Sequence, residues 1–134
     1  MIQISNLSKI YSDVTVLNID SLFVRQGESF GLVGNNGAGK TTLFRLILDL
    51  IEPNSGDVSI NGEPVARRDE WKSLVGSFLD EGFLIDYLTP DEYFKFVGKL
   101  YNKSEGDIAQ FLEGMKDFFN DEILGGKKLI RDLS

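Results

Sequence analysis

The chain has 134 residues, which suits one domain with a modest core. Its 42% apolar content excludes wholesale disorder, and 14 basic against 21 acidic residues, a net charge of −7, argue against non-specific nucleic-acid binding, which relies on lysine and arginine neutralising phosphates. With no cysteine and no histidine, disulfide scaffolds, thiolate metal sites, cysteine nucleophiles and every histidine-based role are excluded.

The lack of cysteine is compatible with a cytosolic location. No apolar run approaches the roughly 20 residues of a membrane helix. The N-terminus, Met1 to Ser5, has no signal-peptide pattern.

In chain order, apolar and polar residues alternate from Met1 to Tyr11 at Ile2, Ile4 and Leu7, which predicts a strand. Val14 to Ile19 and Leu22 to Val24 read as two further strands of an antiparallel sheet, and Arg25 to Glu28 as a turn. Ser29 to Val33 is a short apolar strand ending at Gly34. Lys40 to Ile51 carries Leu43, Leu46, Ile47 and Leu50 at helical spacing and stops at Pro53-Asn54-Ser55-Gly56. A strand over Asp57 to Ile60 runs into Asn61-Gly62, a hairpin signal. A short helix over Arg68 to Leu74 and an apolar strand over Val75 to Leu79 follow. Thr89-Pro90-Asp91-Glu92 starts a helix, with threonine as cap, proline at the first position and acids in the first turn. Ser104 to Asp107 opens another, with Ile108, Phe111, Leu112, Met115 and Phe119 on one face. Residues 89–119 are thus a helical region appended to an α/β core.

The chemistry concentrates in Gly34-Asn35-Asn36-Gly37-Ala38-Gly39-Lys40-Thr41-Thr42. Gly34, Gly39, Lys40 and Thr41 satisfy the four fixed positions of the phosphate-loop pattern Gly-x4-Gly-Lys-[Ser/Thr]. The loop is expected to follow a strand and open a helix. Glycines admit the backbone conformations that turn successive N–H groups inward around a phosphate, and the helix start adds its positive dipole end. Lys40 supplies a full charge to the β- and γ-phosphates. The Thr41 hydroxyl suits magnesium, which prefers oxygen ligands. The competing reading is a glycine-rich helix cap with Lys40 merely solvated. The loop predicts a nucleoside triphosphate, with magnesium, as ligand.

Gly34 to Leu43 resembles the phosphate loop of ATP-binding cassette (ABC) ATPases, the motor subunits of ABC transporters. Three further segments match in order. Asn6 to Tyr11 resembles the N-terminal strand ending in an aromatic that stacks on adenine. Pro53 to Gly62 resembles the P-x-S-G-x-[V/I] stretch and its hairpin, and Leu88 to Tyr93 resembles the segment that opens the helical subdomain. Thr89 to Tyr101 is most similar to bacterial exporter-type cassettes. The resemblance implies an α/β P-loop NTPase: an antiparallel β-subdomain plus part of the RecA-like core, with the start of the helical subdomain. It divides the single domain 1–134 into 1–88 (β-rich and phosphate-loop core), 89–125 (helical subdomain) and 126–134 (the approach to the family signature). It implies ATP and Mg2+ as cofactors. The ATP-binding residues would be Tyr11, Val16 and Gly34 to Thr42, with Thr41 and Asp80 near the metal. A second cassette subunit and a transmembrane permease would be partners, without nucleic acid. The location implied is peripheral, on the cytoplasmic face of the membrane. Tyr11 stacks on a base through its π-face on this reading; the alternative is a strand-end tyrosine with a wet hydroxyl. Tyr93, Phe94, Phe96 and Tyr101 could contribute to a groove for membrane helices, although helix core is the plainer reading of most.

Two departures from the family matter. The Q-loop glutamine falls on Asp80 of Gly76 to Glu81, where a carboxylate can approach magnesium but cannot donate the amide's hydrogen bond. A rival reading makes Leu74 to Leu79 with Asp80-Glu81 a Walker B strand, and the chain a small complete NTPase. The other departure is at Lys127 to Ser134, which resembles the approach to the signature and stops at Leu133-Ser134. The signature's remainder, the Walker B strand, the catalytic glutamate and the switch histidine are absent from these residues. The expectation is an N-terminal fragment that lacks ATP hydrolysis and that, through unpaired sheet edges, self-associates, swaps elements or is only marginally stable. Other classes remain: a soluble cassette of DNA repair or translation, and a P-loop kinase or GTPase, for which neither lid arginines nor an N-K-x-D motif is visible.

Overall fold

In the computed structural model, residues 1–119 and 123–133 are described. Contacts divide the chain into two compact units, Met1–Leu79 and Asp80–Ser134.

The first unit is built on a four-stranded antiparallel sheet. Its strands are β1 (Ile2–Tyr11), β2 (Val14–Val24), β3 (Ser55–Ile60) and β4 (Glu63–Pro64), in the order β2-β1-β3-β4. The two segments predicted between Val14 and Val24 form one continuous strand. Ser12 and Asp13 turn the β1–β2 hairpin, both at positive φ. Asn61 and Gly62 turn the β3–β4 hairpin at φ 51° and 85°, the positive pair that matches strand twist in a two-residue loop.

Strict alternation would bury Asn6. Instead Ile4 and Leu7 are fully buried, because β1 bulges against β3 between Ser5 and Ser8. Asn6 takes φ 48° there, and two residues of β1 oppose Gly56. A Cβ on Gly56 (φ 83°) would lie 2.3 Å from the Asn6 carbonyl oxygen, so only glycine fits.

Helix α1 (Lys40–Ile47) lays Leu43, Leu46 and Ile47 on this sheet, against Ile4, Leu7, Val58, Ile60, Val65 and Trp71. Trp71, within the short 3-10 helix Glu70–Leu74, donates its indole N–H to the Val65 carbonyl at 3.0 Å. The helix predicted to Ile51 stops earlier. Asp49 takes φ 53°, and the Leu50 amide reaches back to the Arg45 carbonyl at 2.9 Å, a left-handed C-terminal cap.

Two predicted strands do not form. Ser29–Val33 and Val75–Leu79 carry no regular secondary structure. Val33 is 95% exposed, and Phe30 and Phe78 are exposed as well. A strand exists only through a ladder with a neighbour, and among the described residues neither segment has one.

The second unit contains α2 (Pro90–Leu100), α3 (Glu105–Gly114) and α4 (Lys116–Phe119). Both longer helices start in full capping boxes, Thr89 with Glu92 and Ser104 with Asp107. Gly98 lets α3 approach: a Cβ there would meet Ile108 Cδ1 at 2.5 Å. The Ile130 and Arg131 amides donate to the carbonyls of Leu88 and Asp86. Ser134, the last residue of the signature-like stretch, and the Glu81 side chain lie outside the described residues.

Candidate functional site

The phosphate loop leads directly into α1, as expected. Gly37 and Gly39 both take φ 84°, and Gly39 is the left-handed residue from which α1 starts. A Cβ on Gly39 would lie 2.6 Å from the Val16 carbonyl oxygen, while one on Gly37 would meet nothing. Gly39 is therefore fixed by a close approach and Gly37 by backbone conformation alone. That approach comes from a bulge in β2. Lys9 pairs with Leu17 and Ile10 with Thr15, leaving Val16 as the extra residue, and its carbonyl is set against the loop. Val16 and Gly39 are thus brought together.

Within the loop, Ala38 N–H donates to the Asn35 carbonyl at 3.1 Å, and Leu43 N–H to the Gly39 carbonyl at 2.8 Å. The amides of Asn36, Gly37, Gly39, Lys40, Thr41 and Thr42 have no acceptor among the described residues. Free amides at the N-terminus of a helix suit an anion. Lys40 is half-buried, and its ammonium donates to the carbonyls of Gly34 at 2.6 Å and Asn35 at 2.8 Å. Thr41 stands exposed in the first turn of α1, beside half-buried Thr42. The donors, the ammonium and the hydroxyl fit a polyphosphate with a hard cation.

Tyr11 ends β1 with 45% of its surface exposed. The Lys9 ammonium lies 5.0 Å from the ring centroid and donates to the Glu52 carbonyl at 2.6 Å. The same strand end is held by Asn54, whose side-chain oxygen accepts from the Ile10 amide at 2.9 Å and whose amide donates to the Ser8 carbonyl at 2.9 Å. The sequence reading missed Lys9. The available signal was its i, i+2 spacing from Tyr11, which places both on one face of a strand.

Asp80 belongs to the second unit. Its Oδ1 accepts from the Gly82 amide at 2.9 Å, and its carbonyl accepts from Phe83 at 3.2 Å, closing the short 3-10 turn Glu81–Phe83. Among the described residues no cluster of three or more acidic groups is arranged to hold a metal. The rival Walker B assignment has no strand beneath it, since Val75–Leu79 is irregular.

In the helical unit the aromatics divide. Phe94 faces inward, its ring 5.6 Å from that of Phe119. With Tyr101, Val97, Ile108 and Phe111 it lines an apolar cavity of about 460 Å³. Tyr93 is half-buried and Phe96 exposed. No helix described here is long and apolar enough to cross a membrane.

Residues 17–134 match the family model for ABC transporters. The chain is 33% identical to the ABC transporter ATP-binding protein NatA of Bacillus subtilis, over 98% of this chain and 58% of that protein. It is also 33% identical to the Nod factor export ATP-binding protein I of Cupriavidus metallidurans, over 100% of this chain and 44% of that one. A solved putative ABC transporter ATP-binding protein from Pyrococcus furiosus superposes with a TM-score of 0.75 at 27% identity, covering 99% of this chain and 62% of its own. The chain thus spans about half the length of the curated relatives it matches. Both the order of motifs and the fold agree with these matches, and the chain belongs to the ABC transporter family.

Proposed function

We propose that this chain is the nucleotide-holding part of an ABC transporter ATP-binding subunit that, with a second cassette and a membrane permease, couples Mg-ATP to export. The observation that carries the reading is the loop whose amides at Asn36, Gly37 and Gly39 to Thr42 have no acceptor among the described residues, with the Lys40 ammonium poised on its carbonyls. Lys40 exchanges those carbonyls for β- and γ-phosphate oxygens, a gain because charge-assisted bonds to phosphate are the stronger. The loop amides take the remaining phosphate oxygens, Thr41 holds the metal, and Tyr11 takes the adenine. Magnesium, when bound, neutralises phosphate charge. A role for Asp80 near the metal rests on the sequence resemblance alone. Export is supported by the name of the Nod factor relative, and a location at the cytoplasmic face follows from a permease partner.

Residues 1–134 contain no histidine, and the one apolar run ending in Asp-Glu, Val75–Leu79, forms no strand. They bind and orient nucleotide, and turnover by them alone stays at background. Titration with ATP and magnesium tests the reading. Lys40→Ala should weaken ATP about 10–100-fold, the loss of a charged hydrogen-bond donor, and unchanged affinity would overturn the site. Asp80→Ala should reduce only the magnesium-dependent part; if that part stays intact, Asp80 has no metal role.

A further inference from the structure

We infer that Lys9 is a positioning residue for the base platform: anchored on the Glu52 carbonyl, its ammonium braces one face of the Tyr11 ring and leaves the opposite face for a nucleobase. The inference rests on the reading of Tyr11 as that platform and adds a residue that pattern and spacing leave unassigned.

A tyrosine at a hairpin tip with 45% of its surface exposed would otherwise lose side-chain freedom when a base stacks on it, a cost that pre-organisation removes. The 5.0 Å separation of ammonium and centroid is within the range of a cation–π contact. Lysine is a flexible side chain and would not hold a ring by itself. Here the 2.6 Å bond to the Glu52 carbonyl fixes its end. Glu52 follows the cap of α1, and α1 begins at the phosphate loop. The hairpin that carries Tyr11 also touches that loop, through the Val16 carbonyl at Gly39. Tyr11 is therefore tied to both ends of α1: to its start through Val16 and to its far end through Lys9, with Asn54 holding the strand between. Through these ties, the base platform is held in register with the phosphate cradle.

Two ligands separate this role from simple charge attraction: ATP, which has a base, and inorganic tripolyphosphate, which has none. Binding of each with magnesium is measured on the 134-residue chain and its variants by calorimetry. Lys9→Met keeps the stem and removes the charge. It should weaken ATP about 2–5-fold, the worth of an exposed cation–π contact, and leave tripolyphosphate unchanged. Lys9→Arg should restore ATP affinity, and Lys9→Met should add nothing in a Tyr11→Ala background. Equal weakening of both ligands would make Lys9 a phosphate ligand instead, and a full effect without Tyr11 would remove the coupling; either result overturns the inference. A ligand-free measurement separates its failure from that of the platform reading. Held against the ring, the Lys9 ε-methylene protons should show an upfield ring-current shift that Tyr11→Leu abolishes. If that shift is present while Tyr11→Ala leaves ATP affinity unchanged, the platform reading fails and the Lys9–Tyr11 pair stands. If the shift is absent, the pair itself is refuted.

Discussion

The two units hold themselves together differently. In Met1–Leu79 the buried side chains come from distant parts of the sequence: Ile4 and Leu7, then Leu43, Leu46 and Ile47, then Val58, Ile60, Val65 and Trp71. In Asp80–Ser134, the buried residues among those described are Pro90, Ile108 and Phe119. Order there combines local signals, two capping boxes and a proline at the first position of α2, with a few longer ties: the Phe94–Phe119 ring contact and the Ile130 and Arg131 amides on Leu88 and Asp86. The phosphate loop therefore sits on the unit whose geometry depends on long-range packing.

The strongest way to break this comparison is to empty part of the first core. Leu46 is 2% exposed beneath the sheet. Leu46→Ala should cost about 2–5 kcal/mol, the range for a buried leucine that leaves a cavity. Amide exchange should quicken through β1, β3 and α1, and ATP affinity should fall with the loss of folded protein. Amides of α2 and α3 should keep their protection. Uniform loss of protection along the chain would show that the two units unfold as one.

The same contrast explains what was legible in the sequence. The start of α1 after the glycine-rich loop, the Asn61-Gly62 hairpin and the starts of α2 and α3 are set by residues within a few positions of one another, and each was readable. Ser29–Val33 and Val75–Leu79 read as strands because apolar runs report a wish to be buried, not the presence of a ladder partner. The bulges at Asn6 and Val16 were missed for a related reason. Each is a relation between two strands: Gly56 opposite Asn6 in one case, and Gly39 against the Val16 carbonyl in the other. The early end of the first helix turned on Asp49 taking a left-handed conformation, which aspartate adopts several-fold more often than most residues but still only in a minority of cases. In the site, Gly34 to Thr42 was legible as a pattern. The bracing of Tyr11 by Lys9 was not, since it depends on the Glu52 carbonyl arriving from the far end of α1.

A pair of glycines sharpens the picture within the helical unit. Gly98 and Gly106 both lie inside helices, where alanine is intrinsically better by about 1 kcal/mol. A Cβ on Gly98 would lie 2.5 and 2.6 Å from Ile108 Cδ1 and Cγ1, whereas one on Gly106 would have only the Ser104 hydroxyl, at 3.7 Å. Ile108 is buried and must shift for Gly98→Ala, so overpacking of about 1–3 kcal/mol outweighs the propensity gain. Gly106→Ala meets no such neighbour and should stabilise by about 0.5–1 kcal/mol. Opposite signs in thermal unfolding are the expected result. Two stabilising substitutions would mean that the α2–α3 contact is loose enough to yield, and that caps alone specify this unit.

The smallest effect concerns the caps themselves, and its sign follows from their hydrogen bonds. Glu92 accepts from the Thr89 backbone amide at 2.8 Å and from its hydroxyl at 3.0 Å, which holds its carboxyl below the usual range. Asp107 is lowered likewise, by the Ser104 hydroxyl first and the backbone amide second. A carboxyl depressed in the folded state contributes stability above its unfolded value, and that contribution is lost as pH falls through the folded value. Both groups are exposed, so solvent and salt weaken the effect. Helicity followed by circular dichroism from about pH 6 to about pH 3 should decline at the acid end, and less so at the neutral end. Replacing the pair by Glu92→Gln and Asp107→Asn keeps an acceptor oxygen at each cap and removes the titration. The acid decline should then flatten while helicity near neutrality drops slightly, because a neutral amide accepts more weakly than a carboxylate. An acid limb of the same shape in the double variant would assign the decline to carboxylates elsewhere in this acidic chain, and would reduce the capping boxes to geometry without electrostatic weight.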